Sequence, residues 1–403
     1  MAVVRIASLG TAVPGIRLDQ AAVRALLTRQ PGLSRRAQRL VGAAVDNAAI
    51  ATRYTAIDEF AGLGQDGVTD ASAVRSLRRP RSGRLEGRPP MFFDSATGEL
   101  LHPPTGARNA VFTREATPLA LAAATDALGR SGFEASDVTH VITVSCTGFF
   151  APGPDYELVR RLGLRPETRR LNIGFMGCYG YFPALRAAVD SCLADPDAVV
   201  LIACVELCTL HLRVTEDPDV LVAASVFADG AGAAVVTGRP GPGLRVDALH
   251  SVLAPGSEHE MTWTIGDLGF EMTLSSYVPR VLEAQIGDAL APLRPSGAWT
   301  DVEHWAVHPG GRAILDRVQE ALGLSDAQLE PSRAVLRDFG NMSSATVPFI
   351  LERLLADAAP GERVAATAFG PGLTVESALF TAVGGGFETR PAGAPQPTGE
   401  DAP

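Results

Sequence analysis

Residues 138–145 and 198–204 constrain this chain most, because each is a short run that is apolar on both faces. Such runs fit strands buried on either side, inside a layered protein. Residues 227–236 read as a glycine turn feeding a third strand. Helical stretches rich in alanine and leucine lie between them, at 117–131 and from Cys178 to Leu193. Helices alternating with buried strands predict an α/β fold built in layers. Residues 3–9 add an opening strand, and 19–27 a helix ending near Pro31-Gly32.

A second round begins near Leu244. It predicts a strand at 246–253, mostly helix at 268–290 and a short strand at 305–307. Helices at 313–322 and 347–356 follow, then a hairpin of 364–369 and 373–381. Two similar rounds suggest an internal duplication, with one half over 1–240 and the other over 241–387. Residues 62–106 are rich in Gly, Pro, Arg and Asp and read as a long excursion over the surface or near a partner subunit. Residues 388–403 are Pro-, Gly- and acid-rich and predict a disordered tail.

Composition removes several function classes. A formal net charge of −10 argues against a nucleic-acid partner. No apolar run reaches the roughly 18 residues of a membrane span, so integral membrane association is not expected. All 35 basic side chains are arginine. Without lysine there is no Schiff base, no covalently held pyridoxal phosphate and no Walker-type phosphate loop. The five cysteines are odd in number and none pairs in C-x-x-C spacing, which predicts free thiols, no metal site and a cytoplasmic setting.

Met176-Gly177-Cys178-Tyr179-Gly180 sets a thiol at the start of the alanine-rich helix. Free backbone N–H groups and the helix dipole stabilise a thiolate there. Cys192 and Cys204 read instead as small buried hydrophobes. His308 ends a short apolar strand before Pro309-Gly310-Gly311, where a rigid support meets a loop. It can accept the thiol proton or donate to an oxyanion. Asn341, in Gly340-Asn341-Met342-Ser343-Ser344, is either a helix cap or an uncharged oxyanion donor. Cys, His and Asn also make the papain-like set. Cys178 lies far from the N-terminus, however, and its helix reads as buried rather than lining an open cleft.

Four segments together resemble the type III polyketide synthases, the chalcone synthase-like branch of the thiolase superfamily. They are Gly174-Phe175-Met176-Gly177-Cys178, Trp305-Ala306-Val307-His308-Pro309-Gly310-Gly311, Gly340-Asn341-Met342-Ser343-Ser344-Ala345 and Phe369-Gly370-Pro371-Gly372-Leu373-Thr374-Val375-Glu376. The likeness runs from about Val3 to Gly386. It implies a thiolase-like αβαβα fold of two duplicated halves and a homodimer. It implies no permanent cofactor, with acyl-CoA and malonyl-CoA as substrates. Cys178 would carry the acyl chain, while His308 and Asn341 stabilise the malonyl-derived enolate and the thioester oxyanion.

The resemblance also implies roles for pocket residues. Phe227 and Met272 fall at gating positions, with Trp263 near the same entrance. Cys146, Thr147, Phe149 and Ala151 fall on the loop that shapes the cavity, Ala151 being small where plant enzymes carry methionine. Cys208 and His211 match cavity-lining threonines. Glu206 and Ser343 would hold a water near the thioester, unless Glu206 is half of a structural ion pair. Arg53 is the candidate for a coenzyme phosphate; the residues before it, Asp46-Asn47-Ala48-Ala49-Ile50, carry no cation. Segments such as Glu206-Leu207-Cys208-Thr209-Leu210-His211-Leu212 are similar to bacterial alkylresorcinol and alkylpyrone synthases, which implies long fatty acyl starters. The alternatives are short or malonyl starters, a single-round ketoacyl synthase III-like enzyme, and a catalytically silent partner protein. His308-Pro309-Gly310-Gly311 argues against the ketoacyl synthase, and the intact Cys178, His308 and Asn341 against the silent partner.

Overall fold

A computed structural model describes residues 3–63, 89–275, 277–294, 299 and 301–384. The expected tail from 388, and residues 64–88 of the excursion expected over 62–106, lie outside the described residues. Nine strands form one mixed sheet: β1 (Arg5–Ala12), β2 (His140–Ser145), β3 (Arg169–Gly174), β4 (Val199–Leu207), β5 (Asp229–Thr237), β6 (Gly243–Leu253), β7 (His304–Val307), β8 (Arg363–Gly370) and β9 (Thr374–Val383). Their order is β7-β8-β9-β6-β1-β5-β4-β2-β3. At the centre β1 meets β6 through only two register pairs, Arg5 with Arg245 and Ile6 with Leu244. That narrow seam separates strands β1–β5 from β6–β9.

Strict alternation along the strands turns the sheet into layers. In β4, Val199, Leu201, Ala203 and Val205 join one core, while Val200, Ile202 and Cys204 join another. The first core is covered by the helix Thr105–Ser131. The second lies between the two parts of the sheet. It is filled by the helices Tyr181–Ala194 and Thr346–Asp357, against Ala378 and Phe380 of β9. Val375 and Leu379 of β9 face the other way, into a third core with the helices Val278–Leu290 and Arg312–Leu322. The chain therefore has the αβαβα layering of the thiolase-like fold. Both central helices pack on strands from each side of the seam, which places the Cys178 turn and the Asn341 segment face to face.

Several elements differ from their sequence patterns. The helix expected at 117–131 starts at Thr105 and runs through Pro118. Helices Arg35–Asn47 and Asp326–Phe339 have no counterpart in the expected pattern; each buries only a narrow stripe beneath charged residues. Residues 268–290 are mostly helix as expected, from Val278 to Leu290, but their first part is not. Met261–Gly266 and Gly269–Leu274 form an antiparallel hairpin, and helix begins only at Val278. Gly230 and Gly232 make no turn but lie inside β5. A Cβ at Gly232 would stand 2.5 Å from Pro348 Cβ and 3.0 Å from Ala345 O. Glycine there lets the segment after Asn341 approach the strand. Gly232→Ala is expected to lower the unfolding free energy by about 1–3 kcal/mol, the usual cost of overpacking. Denaturant titration that leaves the midpoint unchanged would contradict this.

Candidate active site

Cys178 sits on the tight turn Gly177–Tyr179, and the α-helix proper begins three residues later at Tyr181. Two glycines shape this turn. Gly177 has φ 72°, and a Cβ on it would meet Pro371 Cδ at 2.7 Å. A Cβ on Gly370 would meet Tyr179 Cδ1 at 2.5 Å. The Gly370-Pro371-Gly372 loop therefore buttresses the turn, as a scaffold. Phe175 and Ser343, one on each side of the thiol, adopt left-handed backbone at φ 57° and 48°. Strain of this kind persists only where surrounding packing holds it, and it concentrates at functional sites.

The thiol is 7% exposed and lines a cavity of about 300 Å³. Burial pushes it up to about 12; hydrogen bonds from the Ser343 and Asn341 side chains pull it down, and nearby Glu206 pushes it up. The free-standing thiolate expected from the helix start is thus opposed by desolvation. His308 follows β7, with its N–H bonded to Thr367 O at 2.9 Å. Burial pushes its imidazole down to about 3, so the ring is neutral. Among the described residues neither ring nitrogen has a hydrogen-bond partner.

Asn341 is pinned at both backbone atoms. Its N–H donates to Val226 O at 2.9 Å, and its carbonyl accepts from Ala228 N–H at 2.8 Å. Its Oδ1 accepts from the Ser343 N–H at 2.9 Å, and no side chain caps the helix at Thr346. Its Nδ2 lies 3.5 Å from Gly310 O, two residues past His308. The amide thus stands in contact with the Cys178 thiol and beside the loop that carries His308.

The remaining cavity wall sorts the expected residues. Phe227, Met272, Trp263, Cys146, Thr147, Cys208, His211 and Ser343 all line it. Met272 lies on a strand opposite Trp263. Trp263 Nε1 donates to Cys146 O at 2.6 Å. His211 Nδ1 accepts from the Phe270 N–H at 3.0 Å, and its Nε2 meets Thr147 O at 2.7 Å. Those partners require the tautomer protonated on Nε2. Burial lowers His211 to about 4. Together Trp263 and His211 fasten the hairpin to the Cys146–Thr147 loop.

Three expectations are corrected. Ala151 is exposed and off the cavity wall: the loop leaves the cavity after Thr147, and Phe149 stacks outside on Phe270 at 6.2 Å. Glu206 is in no ion pair among the described residues. It accepts from Cys146 N–H at 3.0 Å, Thr147 Oγ1 at 2.8 Å and Ser344 Oγ at 2.5 Å. Ser343 instead reaches Cys146 Sγ at 3.3 Å, so the expected link from Glu206 to Ser343 runs through Cys146. Burial raises the Glu206 carboxyl against those donors. Arg53 is buried and has no donor left for a phosphate. Its Nε and Nη2 reach Gln20 Oε1 at 3.1 and 2.8 Å, and Nη2 reaches Ser225 O at 2.7 Å. Its Nη1 reaches Ala224 O and Phe227 O at 3.1 and 2.9 Å, which uses the fifth N–H.

Sequence reading missed an apolar stretch of the wall made by Leu18, Val23, Leu26 and Phe60. Amphipathic spacing in the helix Gln20–Thr28 was the available signal, but it points to burial and not to a ligand. Arg213 and Glu271 were also missed; they line the cavity and pair at 2.7 Å.

Comparison with known proteins matches this geometry to a family. Residues 96–240 match the N-terminal domain of chalcone and stilbene synthases, and residues 246–384 match the C-terminal domain. A 1,3,6,8-tetrahydroxynaphthalene synthase of Streptomyces griseus is 34% identical over 285 residues, covering 70% of this chain and 76% of that protein. The crystal structure of PKS-I from the brown alga Ectocarpus siliculosus superposes with a TM-score of 0.83 at 30% identity, over 95% of this chain and 99% of that one. The 1,3,6,8-tetrahydroxynaphthalene synthase of Streptomyces coelicolor A3(2) gives 0.79 at 28% identity, over 94% and 100%. With both domains matched and the fold shared from end to end, the chain belongs to the chalcone and stilbene synthase family: it is a type III polyketide synthase, an acyltransferase acting on coenzyme A thioesters.

Proposed function

We propose that Cys178 takes an acyl group from an acyl-CoA starter and that malonyl-CoA extends it over several rounds. The observation that carries this reading is a buried thiol held between Ser343 and Asn341, on the cavity that Phe227 and Met272 also line. In the first step the Cys178 sulfur attacks the thioester carbonyl as its proton passes to His308. The coenzyme thiolate leaves and takes that proton. In the second, malonyl-CoA loses CO2, and the electron pair is left on an enolate. His308 and the Asn341 amide donate to the enolate oxygen, a site of fixed, uncharged donors. The enolate carbon then attacks the acyl-Cys178 carbonyl, and the sulfur departs as leaving group. The lengthened chain returns to Cys178 for the next round.

For the starter we propose a fatty acyl group, with closure of the chain to an alkylresorcinol or alkylpyrone. Support comes from the apolar wall of Leu18, Val23, Leu26 and Phe60. Its volume, about 300 Å³, is at the small end of ligand pockets. A malonyl starter is the second reading, favoured because the 34% identical relative is named for tetrahydroxynaphthalene, a product without an alkyl chain. Purified protein given malonyl-CoA and a ladder of acyl-CoA starters separates the two. Resorcinols or pyrones rising in yield with chain length are the expected products by mass spectrometry. Products from malonyl-CoA alone, insensitive to added acyl-CoA, would discard the fatty acyl starter.

We also propose a homodimer in the cytoplasm. Edge strand β3 is unpaired on one side and exposed along most of its length. Phe149, Leu171, Phe175 and Met176 expose an apolar patch in the same region. Unpaired edges and contiguous apolar patches favour association. Leu171→Glu is expected to shift sedimentation from dimer to monomer; a monomeric parent protein would refute it. All five cysteines are free and buried, which suits a reducing compartment. Among the described residues no helix is long and apolar enough to cross a membrane.

A further inference from the structure

We infer that Arg53 is a positioning residue for the condensation: it holds the helix end that carries Phe227 against the turn that carries Asn341. This rests on the roles proposed above for Cys178, His308 and Asn341. The helix Pro218–Val226 ends where the chain turns into Phe227. A helix leaves its last carbonyls without partners inside the helix. Here four in succession are taken from outside. Arg53 Nη1 donates to Ala224 O at 3.1 Å and to Phe227 O at 2.9 Å, and Nη2 donates to Ser225 O at 2.7 Å. The fourth, Val226 O, accepts from the Asn341 N–H at 2.9 Å. One guanidinium and the backbone of Asn341 thus divide the helix end between them. Phe227 and Asn341 also form an isolated parallel bridge, and a Cβ at Gly340 would stand 3.5 Å from Arg53 Cβ.

Charge and shape both suit arginine to this place. The negative end of a helix dipole favours a cation, and a buried carbonyl left unpaired is costly. Burial pulls the guanidinium down to about 10 and Asp229 offsets part of that, so it stays charged at neutral pH. Asp229 is fixed in turn by the Thr209 N–H at 2.8 Å, Thr209 Oγ1 at 2.6 Å and the Ala56 N–H at 2.8 Å. The remaining N–H groups of Arg53 go to Gln20 Oε1. Gln20 opens the helix Gln20–Thr28, whose Val23 and Leu26 line the cavity. Arg53 therefore joins the cavity wall, Phe227 and Asn341 through one planar, rigid group; lysine would supply three donors on a flexible stem. Its effect on the reaction is indirect. Without it, three of the four carbonyls lose the guanidinium, and the Asn341 amide loses its fixed place. Misplacing such a group by about 1 Å costs about 10²-fold. The enolate draws first on the Asn341 amide, whereas loading draws first on the Cys178 sulfur and the His308 ring.

The test compares two rates in the full chain: acylation of Cys178 by a short acyl-CoA, followed by intact mass in a single turnover, and CO2 release from malonyl-CoA. Both rates scale with the folded fraction, so their ratio does not. In Arg53→Met the ratio of CO2 release to loading is expected to fall at least about tenfold. Arg53→Lys keeps the charge and part of the donor set, and is expected to restore part of the ratio. Arg53→Met is also expected to cost less CO2 release in an Asn341→Ala background than in the parent, because the amide it positions is already gone. Equal costs in the two backgrounds, or a ratio equal to that of the parent, overturn the inference. Should Arg53→Met fail to fold, Gln20→Ala removes the acceptor behind the guanidinium and is expected to move the ratio the same way; an unchanged ratio there overturns it equally. A parent protein that releases no CO2 from malonyl-CoA overturns the condensing function and the inference with it, a result distinct from an unchanged ratio.

Discussion

Replacing Cys178 with alanine is expected to abolish acyl-enzyme formation and to lower turnover by at least about 10³-fold, the scale on which covalent catalysis fails without its nucleophile. The variant removes one buried sulfur and leaves the backbone of the turn intact, so folding should survive. The prediction is specific because three thiols share the cavity: Cys146, Cys178 and Cys208. Their surroundings rank them. Cys146 has the Glu206 carboxylate 3.5 Å from its sulfur, which opposes a second negative charge. Cys208 is pushed up by burial and by Glu206, with no donor to offset them. Cys178 alone receives help from two uncharged side chains, Ser343 and Asn341. Intact mass after mixing with acyl-CoA, followed by peptide mapping, decides the matter. An adduct that persists in Cys178→Ala and maps to Cys146 would move the nucleophile one loop away.

His308→Ala is expected to slow malonyl decarboxylation by about 10²–10³-fold, the range for losing one oxyanion donor. It should also make the Cys178 thiol harder to ionise. Burial, reinforced by Glu206 and partly offset by Ser343 and Asn341, raises the thiol to about 12, and burial lowers the imidazole to about 3, so each charge by itself is unfavourable here. A proton moved from sulfur to imidazole creates two opposite charges at once, and each offsets the desolvation of the other. The sign follows. With His308 present, the rate of Cys178 alkylation by iodoacetamide should level off at a lower pH. In His308→Ala burial, Glu206 and the two neutral donors remain, and the apparent pKa should rise by at least about one unit, or 1.4 kcal/mol. Superimposable pH profiles would remove His308 from thiol activation. Unchanged CO2 release would remove it from decarboxylation.

Elements were legible in the sequence where one period ran uninterrupted. The strands at 138–145 and 198–204 and the closing hairpin were readable because burial on both faces leaves an unbroken apolar run. The hairpin at Met261–Leu274 was not, because it carries no clean alternation: the apolar Ile265 is exposed, while the polar Glu271 and Thr273 line the cavity beside Trp263 and Met272. The strand β3 was invisible for a related reason: an exposed edge carries no burial pattern. Glycines misled at 230 and 232, where what matters is the approach of Met342 and Pro348 from a segment more than a hundred residues away.

Taken by itself, the sequence determined the layered class and the family, and it singled out Cys178, His308 and Asn341 as the trio proposed to react, since motifs and periodicity are local and survive without coordinates. Only the tertiary structure decided which side chains are free to act. Arg53 is spent on Gln20 and three carbonyls, Ser344 rather than Ser343 faces Glu206, and Ala151 lies outside the cavity it was expected to widen. The reason is physical: a buried polar group must find partners wherever the fold brings them, and those partners come from segments that sequence spacing does not relate.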